Sequence, residues 1–302
     1  MVKRLTILLI ILTGVISIQA QEYKLNNEVA PLTSVERLEM PALNNNALLR
    51  QYTQTDKSTA NRFAEAREVD ITPVKNGTWE TTRSGLLVWR HIIKSPNAHS
   101  INLGFTEFAL PESARLYIYN STKADVLGPF TKADNDDHLQ LWTPIIDGDE
   151  IVVELQVASE DVKKVKLRLS KINHDFKNIR KSLQSGSCNL DVICGAMDGW
   201  ATVDQYRDII SAVGAYSYNG IDQCSGVLIN NARNDCRPFF LTAEHCGISN
   251  TNAPSVVVYW NYQNSYCRQP FSPDSGREGD GSRDHFNSGA TLLADLGASD
   301  FA

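Results

Sequence analysis

The sequence predicts a mainly β protein in two parts. Short apolar runs, bounded by Gly, Asp, Asn and Pro, recur along most of the chain, and several alternate apolar and polar residues with a period of two. Six or seven such runs fall within about a hundred residues after Thr72, which favours a β-sandwich. All six cysteines lie between Cys188 and Cys267, so an unstapled part precedes a stapled one. A length of 302 residues allows about two domains.

Residues 1–20 open with MVKR, continue as the apolar run LTILLIILTGVISI and end in IQA. That is the layout of a secretory signal cleaved after Ala20, and it implies export. The apolar run is short for a membrane span of ~20 residues, and no later segment is apolar enough to span a bilayer. Residues 21–70 are polar, rich in Asn, Thr, Glu and Arg, with two short helical stretches, SVERLEM and NNALLRQY, and little core of their own.

The β-sandwich is expected over 71–174. LLVWRHIIK is followed by the turn SPNAH and by INLGFTEFAL, where Ile101, Leu103 and Phe105 share one parity and Phe108 and Leu110 the other. That switch places a bulge near Thr106. ARLYIYN, HLQLWTP, DEIVVELQV and VKLRL follow. In DEIVVELQV, Val153, Leu155 and Val157 alternate with Glu154 and Gln156, the pattern of a half-buried antiparallel strand.

Residues 175–187 are polar and basic without strand periodicity, a linker in which Lys181 or Arg180 is the natural site of proteolytic processing. The plainer alternative is a tether between domains. From Cys188 strands resume as SAVGAYS, CSGVLIN, PFFLTA, PSVVVYWNY and GATLLADL, with TVDQYRDII as a helical turn or two. The acidic, glycine-rich loop 272–285 offers Asp274, Asp280 and Asp284 for calcium, but such loops are more often simply solvated.

The net charge is −6 with both signs scattered, which argues against a nucleic-acid partner. No Cys-x-x-Cys pair occurs, so neither structural zinc nor a thioredoxin-like site is supported, and no metal or cofactor is expected. NGT at Asn76 and NST at Asn120 are glycosylation acceptors only in a host that glycosylates. DNDDH at 134–138 reads as a turn, and His91 has no partner at metal spacing.

The chemistry concentrates in FFLTAEHCG, residues 239–247, where a histidine follows an apolar strand and precedes a cysteine. A bond from Cys224 to Cys246 would close a loop of about twenty residues, stabilise by roughly 3 kcal/mol and fix the imidazole of His245. A general base needs that fixity, because proton transfer works over ~3 Å; a core histidine needs only a hydrogen-bond partner.

CSG followed by TAEHC after an apolar strand resembles the first barrel of trypsin-like serine proteases. The ordered set SGSCNLDVIC, DIISAVGAY, CSGVLINN, FFLTAEHCG, VVVYWNYQNSYCR and ASDFA resembles the lysyl endopeptidase branch. DITPVKNGTWE and LGPFT resemble the leader of related secreted precursors. The resemblance implies a β-sandwich pro-region followed, over 188–302, by the first six-stranded β-barrel of a two-barrel protease whose second barrel is absent. It makes His245 the general base and Asp300 the carboxylate that orients it, with Asp295 the nearby competitor. It also implies the disulfides Cys224–Cys246 and Cys194–Cys267, although six cysteines alone allow fifteen pairings. Cys188 matches a cysteine whose family partner lies in the second barrel, and Cys236 has no counterpart.

The family's nucleophile serine follows the aspartate, and every Ser-Gly pair here precedes Asp300. The expectation is therefore a fragment of a secreted precursor, inactive alone, whose whole protein hydrolyses proteins or peptides, possibly after Lys. Cleavage at Lys181 would free a mature part beginning at Ser182 from a pro-region that packs on it. The competing expectation is a non-catalytic secreted binding protein that offers Trp79, Trp89 and Trp142 as stacking surfaces on its sandwich, with a degenerate protease half.

Overall fold

The computed structural model describes residues 25, 28–52, 61–179, 186–277 and 279–302. The signal segment, Arg180 and Lys181 lie outside them. No described helix is long and apolar enough to cross a membrane.

The N-terminal half runs β1 (Arg37–Glu39), helix α1 (Asn45–Tyr52), β2 (Asn61–Arg62), β3 (Ala64–Ile71), β4 (Thr78–Thr81), β5 (Leu87–Lys94), β6 (Ser100–Ala109), β7 (Arg115–Asn120), β8 (Val126–Phe130), β9 (Leu141–Trp142), β10 (Ile146–Asp147), β11 (Glu150–Val157) and β12 (Lys166–Asp175). One sheet has the order β1-β5-β11-β7-β8, with β4 also on β5; a second has β10-β6-β12-β3, with β9 also on β6. Side-chain alternation joins them. Trp89 and Ile93 of β5 and Ile151, Val153 and Leu155 of β11 meet Ile101, Leu103 and Phe105 of β6 in one buried core.

The parity switch in β6 is a bulge. Phe105 pairs with Leu169 and Glu107 with Arg168, so Thr106 is skipped. Ser170 is skipped on β12, and the two hydroxyls meet at 2.5 Å. The skipped residues keep Phe108 and Ile172 on the core side, where both are buried.

Two features depart from the sequence pattern. The sheets begin before residue 71, because AEAREVDI forms β3 against β12. Its charges suit an edge strand, which stays soluble by displaying them. β11 is buried on both faces, not half-buried: Glu154 is 1% exposed. Leu25, Leu32 and Val35 of the polar leader pack over that second face with Ile92, Tyr119 and Val152. Glu154 is satisfied there by the Tyr119 hydroxyl at 2.8 Å and the Gln156 amide at 2.7 Å.

The C-terminal half forms an antiparallel sheet of β13 (Val213–Tyr218), β14 (Asp222–Ile229), β15 (Phe239–Thr242), β16 (Val257–Trp260) and β17 (Phe286–Ser288). Its order is linear, β15-β14-β13-β16-β17, and its sixth strand is β2, from the leader, on β14. Among the described residues no pairing closes this sheet into a ring. The halves touch where Trp142 packs on Val257 and Tyr259, and where Arg283 donates to the Ile145 carbonyl and Asp147.

Candidate active site

β15 hydrogen-bonds β14 in the register Gly226 to Thr242 and Ile229 to Phe239. After Thr242 the chain turns through the 3-10 segment Glu244–Cys246 and closes at Gly247, whose φ of 78° is a left-handed position that favours glycine. Cys246 points inward, 1% exposed, and is bonded to Cys224. His245 points outward, its side chain 48% exposed. One turn therefore buries the sulfur and presents the imidazole.

Asp300 reaches this turn from 55 positions downstream. It ends the 3-10 segment Gly297–Ser299 with φ 51°, a left-handed geometry that aspartate tolerates. Leu296 and Phe301 form a β-bridge around it, and Ala302 exchanges two backbone hydrogen bonds with Thr242, at 2.8 and 3.0 Å. Oδ2 lies 2.8 Å from His245 Nδ1, and Oδ1 accepts the His245 backbone N–H at 2.9 Å. Those two bonds, backbone first, hold the Asp300 carboxyl below the usual carboxylate range. An ionised Asp300 accepts from Nδ1–H, which leaves Nε2 as the basic nitrogen of neutral His245. Nε2 makes no hydrogen bond with any described residue.

Asp295, two residues before Gly297, makes no hydrogen bond or ion pair with His245 among the described residues. No described serine hydroxyl bonds the imidazole either; Ser225 meets the site only through its carbonyl, which accepts from the Thr242 hydroxyl at 2.9 Å. That hydroxyl also meets the Tyr216 hydroxyl at 2.9 Å. Thr242 thus ties β13, β14 and the Asp300 segment together three residues before His245, a role the TAEHC motif did not disclose.

Cys224, His245 and Cys246 fall at metal-ligand spacing, within 4.8 Å of one another. Their two sulfurs are bonded to each other, and a thiolate, not a disulfide, ligates metal. Cys194 is bonded to Cys267, and beside that link Arg268 donates to Asp191 through Nε at 2.8 Å and Nη2 at 2.7 Å. Cys188 and Cys236 are exposed and unpaired. The three aspartates of the 272–285 loop are used separately: Asp274 by Arg277, Asp280 by Ser265 and Asp284 by Ser282. His91 is 2% exposed, stacked on Trp89, with its Nδ1 3.8 Å from the Glu36 carboxylate. Trp89 and Trp142 are buried, and Trp79 packs partly buried against the sandwich core with its indole donating to the Pro73 carbonyl at 2.8 Å.

The disulfide-tied turn and the His–Asp pair thus meet in the C-terminal half of a mainly β chain, a fold consistent with the trypsin-like class. Residues 183–302 match the lysyl endopeptidase C-terminal domain, and residues 37–176 match the lysyl endopeptidase N-terminal domain. A lysyl endopeptidase of Pseudomonas aeruginosa is 26% identical over 214 residues, which is 66% of this chain and 45% of that protein. The chain belongs with the lysyl endopeptidases. It spans about half the length of the relative it matches.

Proposed function

We propose that these 302 residues belong to a secreted serine endopeptidase precursor in which His245 is the general base and Asp300 holds it. The observation that carries this is the 2.8 Å contact from His245 Nδ1 to Asp300 Oδ2 inside the stretch that matches the C-terminal domain. The nucleophilic hydroxyl would come from the part of a lysyl endopeptidase that these residues do not span. Nε2 would take the hydroxyl proton as oxygen attacks the scissile carbonyl, then return it to the departing amine. Asp300 would fix the tautomer and stabilise the imidazolium in between. Cleavage after lysine rests on family likeness alone.

On this reading residues 1–20 direct export, residues 21 to 181 are a pro-region seated on the protease part, and cleavage at Lys181 frees a mature chain starting at Ser182. The seat of Trp142 on Val257 and Tyr259 supports that packing. Labelling of the full-length secreted protein with a serine-directed phosphonate tests the reading. Labelling is expected in the wild type and is expected to disappear in His245→Ala; equal labelling of both proteins overturns the base assignment. A mature N-terminus far from Ser182 overturns the processing site.

A further inference from the structure

The C-terminal sheet is buried unevenly. On one face Tyr216, Val258 and Cys246 form a small cluster beside a cavity of about 820 Å³ that Phe240 and Trp260 help to line. The opposite face is sealed: Val257 is 1% and Ser217 3% exposed. β14, which carries Cys224, has no buried residue along its length. β13 and β15 pair with it along its length, and a further grip comes at its start.

One end is held by the N-terminal half. β2 pairs with the edge of β14, Arg62 opposite Asp222 and Asn61 opposite Gln223. The Phe63 N–H continues the pairing to the Ile221 carbonyl at 2.8 Å. Ile221 packs on Phe63, Ala64, Ile145 and Ile179. At the tip of the β13–β14 hairpin the Gly220 carbonyl accepts from Asn102 Nδ2 at 2.9 Å, and Asn173 Nδ2 donates to Asn102 Oδ1 at 2.8 Å. Both asparagines are buried. A Cβ on Gly220 would lie 2.0 Å from Asn173 Nδ2 and 2.3 Å from Asn102 Oδ1. Residues 220–223 are thus gripped from outside, and the next residue is Cys224.

We propose that this seat is a template: the N-terminal half sets the β13–β14 hairpin and so directs Cys224 onto Cys246, beside His245. The Trp142 contact lies on the face of the sheet opposite the His245 turn, because Val257 and Tyr259 alternate with Val258 and Trp260, while β2 and Asn102 meet the hairpin at its edge and tip. The N-terminal half therefore acts on the site by placing a strand, not by covering the imidazole. The second disulfide, Cys194–Cys267, has neighbours from the C-terminal half, Arg207 and Gln269, and serves as an internal control. The inference rests on contacts between the halves and is independent of the peptidase reading.

The test is oxidative refolding of the reduced full chain with oxidised glutathione. Two thiols become one disulfide, and their two electrons and two protons convert oxidised glutathione to two reduced molecules. Alkylation at timed intervals and peptide mapping follow each bond separately. Gly220→Asn keeps a residue that tolerates φ +69° but drives a side chain into Asn102 and Asn173. Asn102→Ala breaks the same contact from the other half. In both variants Cys224–Cys246 is expected to close about tenfold more slowly, the scale of one lost buried hydrogen bond, while Cys194–Cys267 keeps its wild-type rate. Equal slowing of both bonds, or of neither, in either variant overturns the template.

Discussion

Asp300 accepts two hydrogen bonds from a single residue, His245: one from its backbone N–H and one from its ring. The backbone bond fixes where the carboxylate sits and the ring bond fixes where the imidazole points. An amide at position 300 keeps the shape but removes the acceptor that selects the Nδ1–H tautomer.

Asp300→Asn in the full-length protein is therefore expected to lower kcat by roughly 10⁴ with a small change in KM, as loss of the orienting carboxylate does in Ser-His-Asp enzymes. Asp295→Asn is expected to stay within about twofold of wild type, because Asp295 makes no hydrogen bond or ion pair with His245 among the described residues. Steady-state kinetics on a lysyl peptide substrate separates them, and the opposite order would transfer the role to Asp295.

Replacing both Cys224 and Cys246 by Ala removes a link across 22 positions. The chain-entropy account predicts a loss of about 3 kcal/mol, read from urea unfolding under non-reducing conditions. The loss of activity is expected to exceed what the unfolded fraction explains, because the imidazole sits one residue from the lost bond.

His174 is expected to make the N-terminal half acid-sensitive. Its Nδ1 meets the Ser95 hydroxyl at 2.8 Å, and its Nε2 donates to Asn45 Oδ1 of α1 at 2.9 Å. Burial first, then repulsion by His99 and Arg67, lower its pKa to about 4. The folded value lies below the unfolded value near 6.5, so the native state favours neutral imidazole. Its stability contribution is full above about pH 6.5 and falls as pH drops towards 4. His174→Asn is expected to flatten the urea midpoint across that window relative to wild type. Parallel pH profiles for the two proteins would dismiss His174 as the source.

The Arg268–Asp191 pair is nearly buried, with side chains 5% and 9% exposed. Removing one partner leaves the other charge out of water. Asp191→Ala is expected to cost about 3–5 kcal/mol of stability, while the apolar double replacement Asp191→Leu with Arg268→Met is expected to recover much of it. Urea titration of the three proteins decides this, and near-neutrality of Asp191→Ala would show that the pair is solvated.

The N-terminal half was legible where one face of a strand is apolar. The Thr106 bulge could be read from a change of parity, since alternation is local. β3 and the leader's contribution to the core were not legible. Their apolar residues are sparse, and burial comes from partners far along the chain, as with Leu32 and Val35 against Tyr119 and Val152. The first barrel expected over 188–302 is, among the described residues, a linear sheet with a strand borrowed from the leader, a pairing that no pattern within 188–302 encodes.

The sequence by itself determined the predominance of strands, the division at the cysteines and the TAEHC turn that places an imidazole beside a sulfur, because these follow from residue spacing over a few positions. Only the tertiary structure decided that Asp300 rather than Asp295 meets His245, that Cys246 faces inward while His245 faces out, and that residues 61–64 and 102 hold the hairpin before Cys224. Each is a meeting of groups tens to more than a hundred positions apart. Such distances are set by the packing of sheets and the closure of long loops, which local side-chain periodicity does not record.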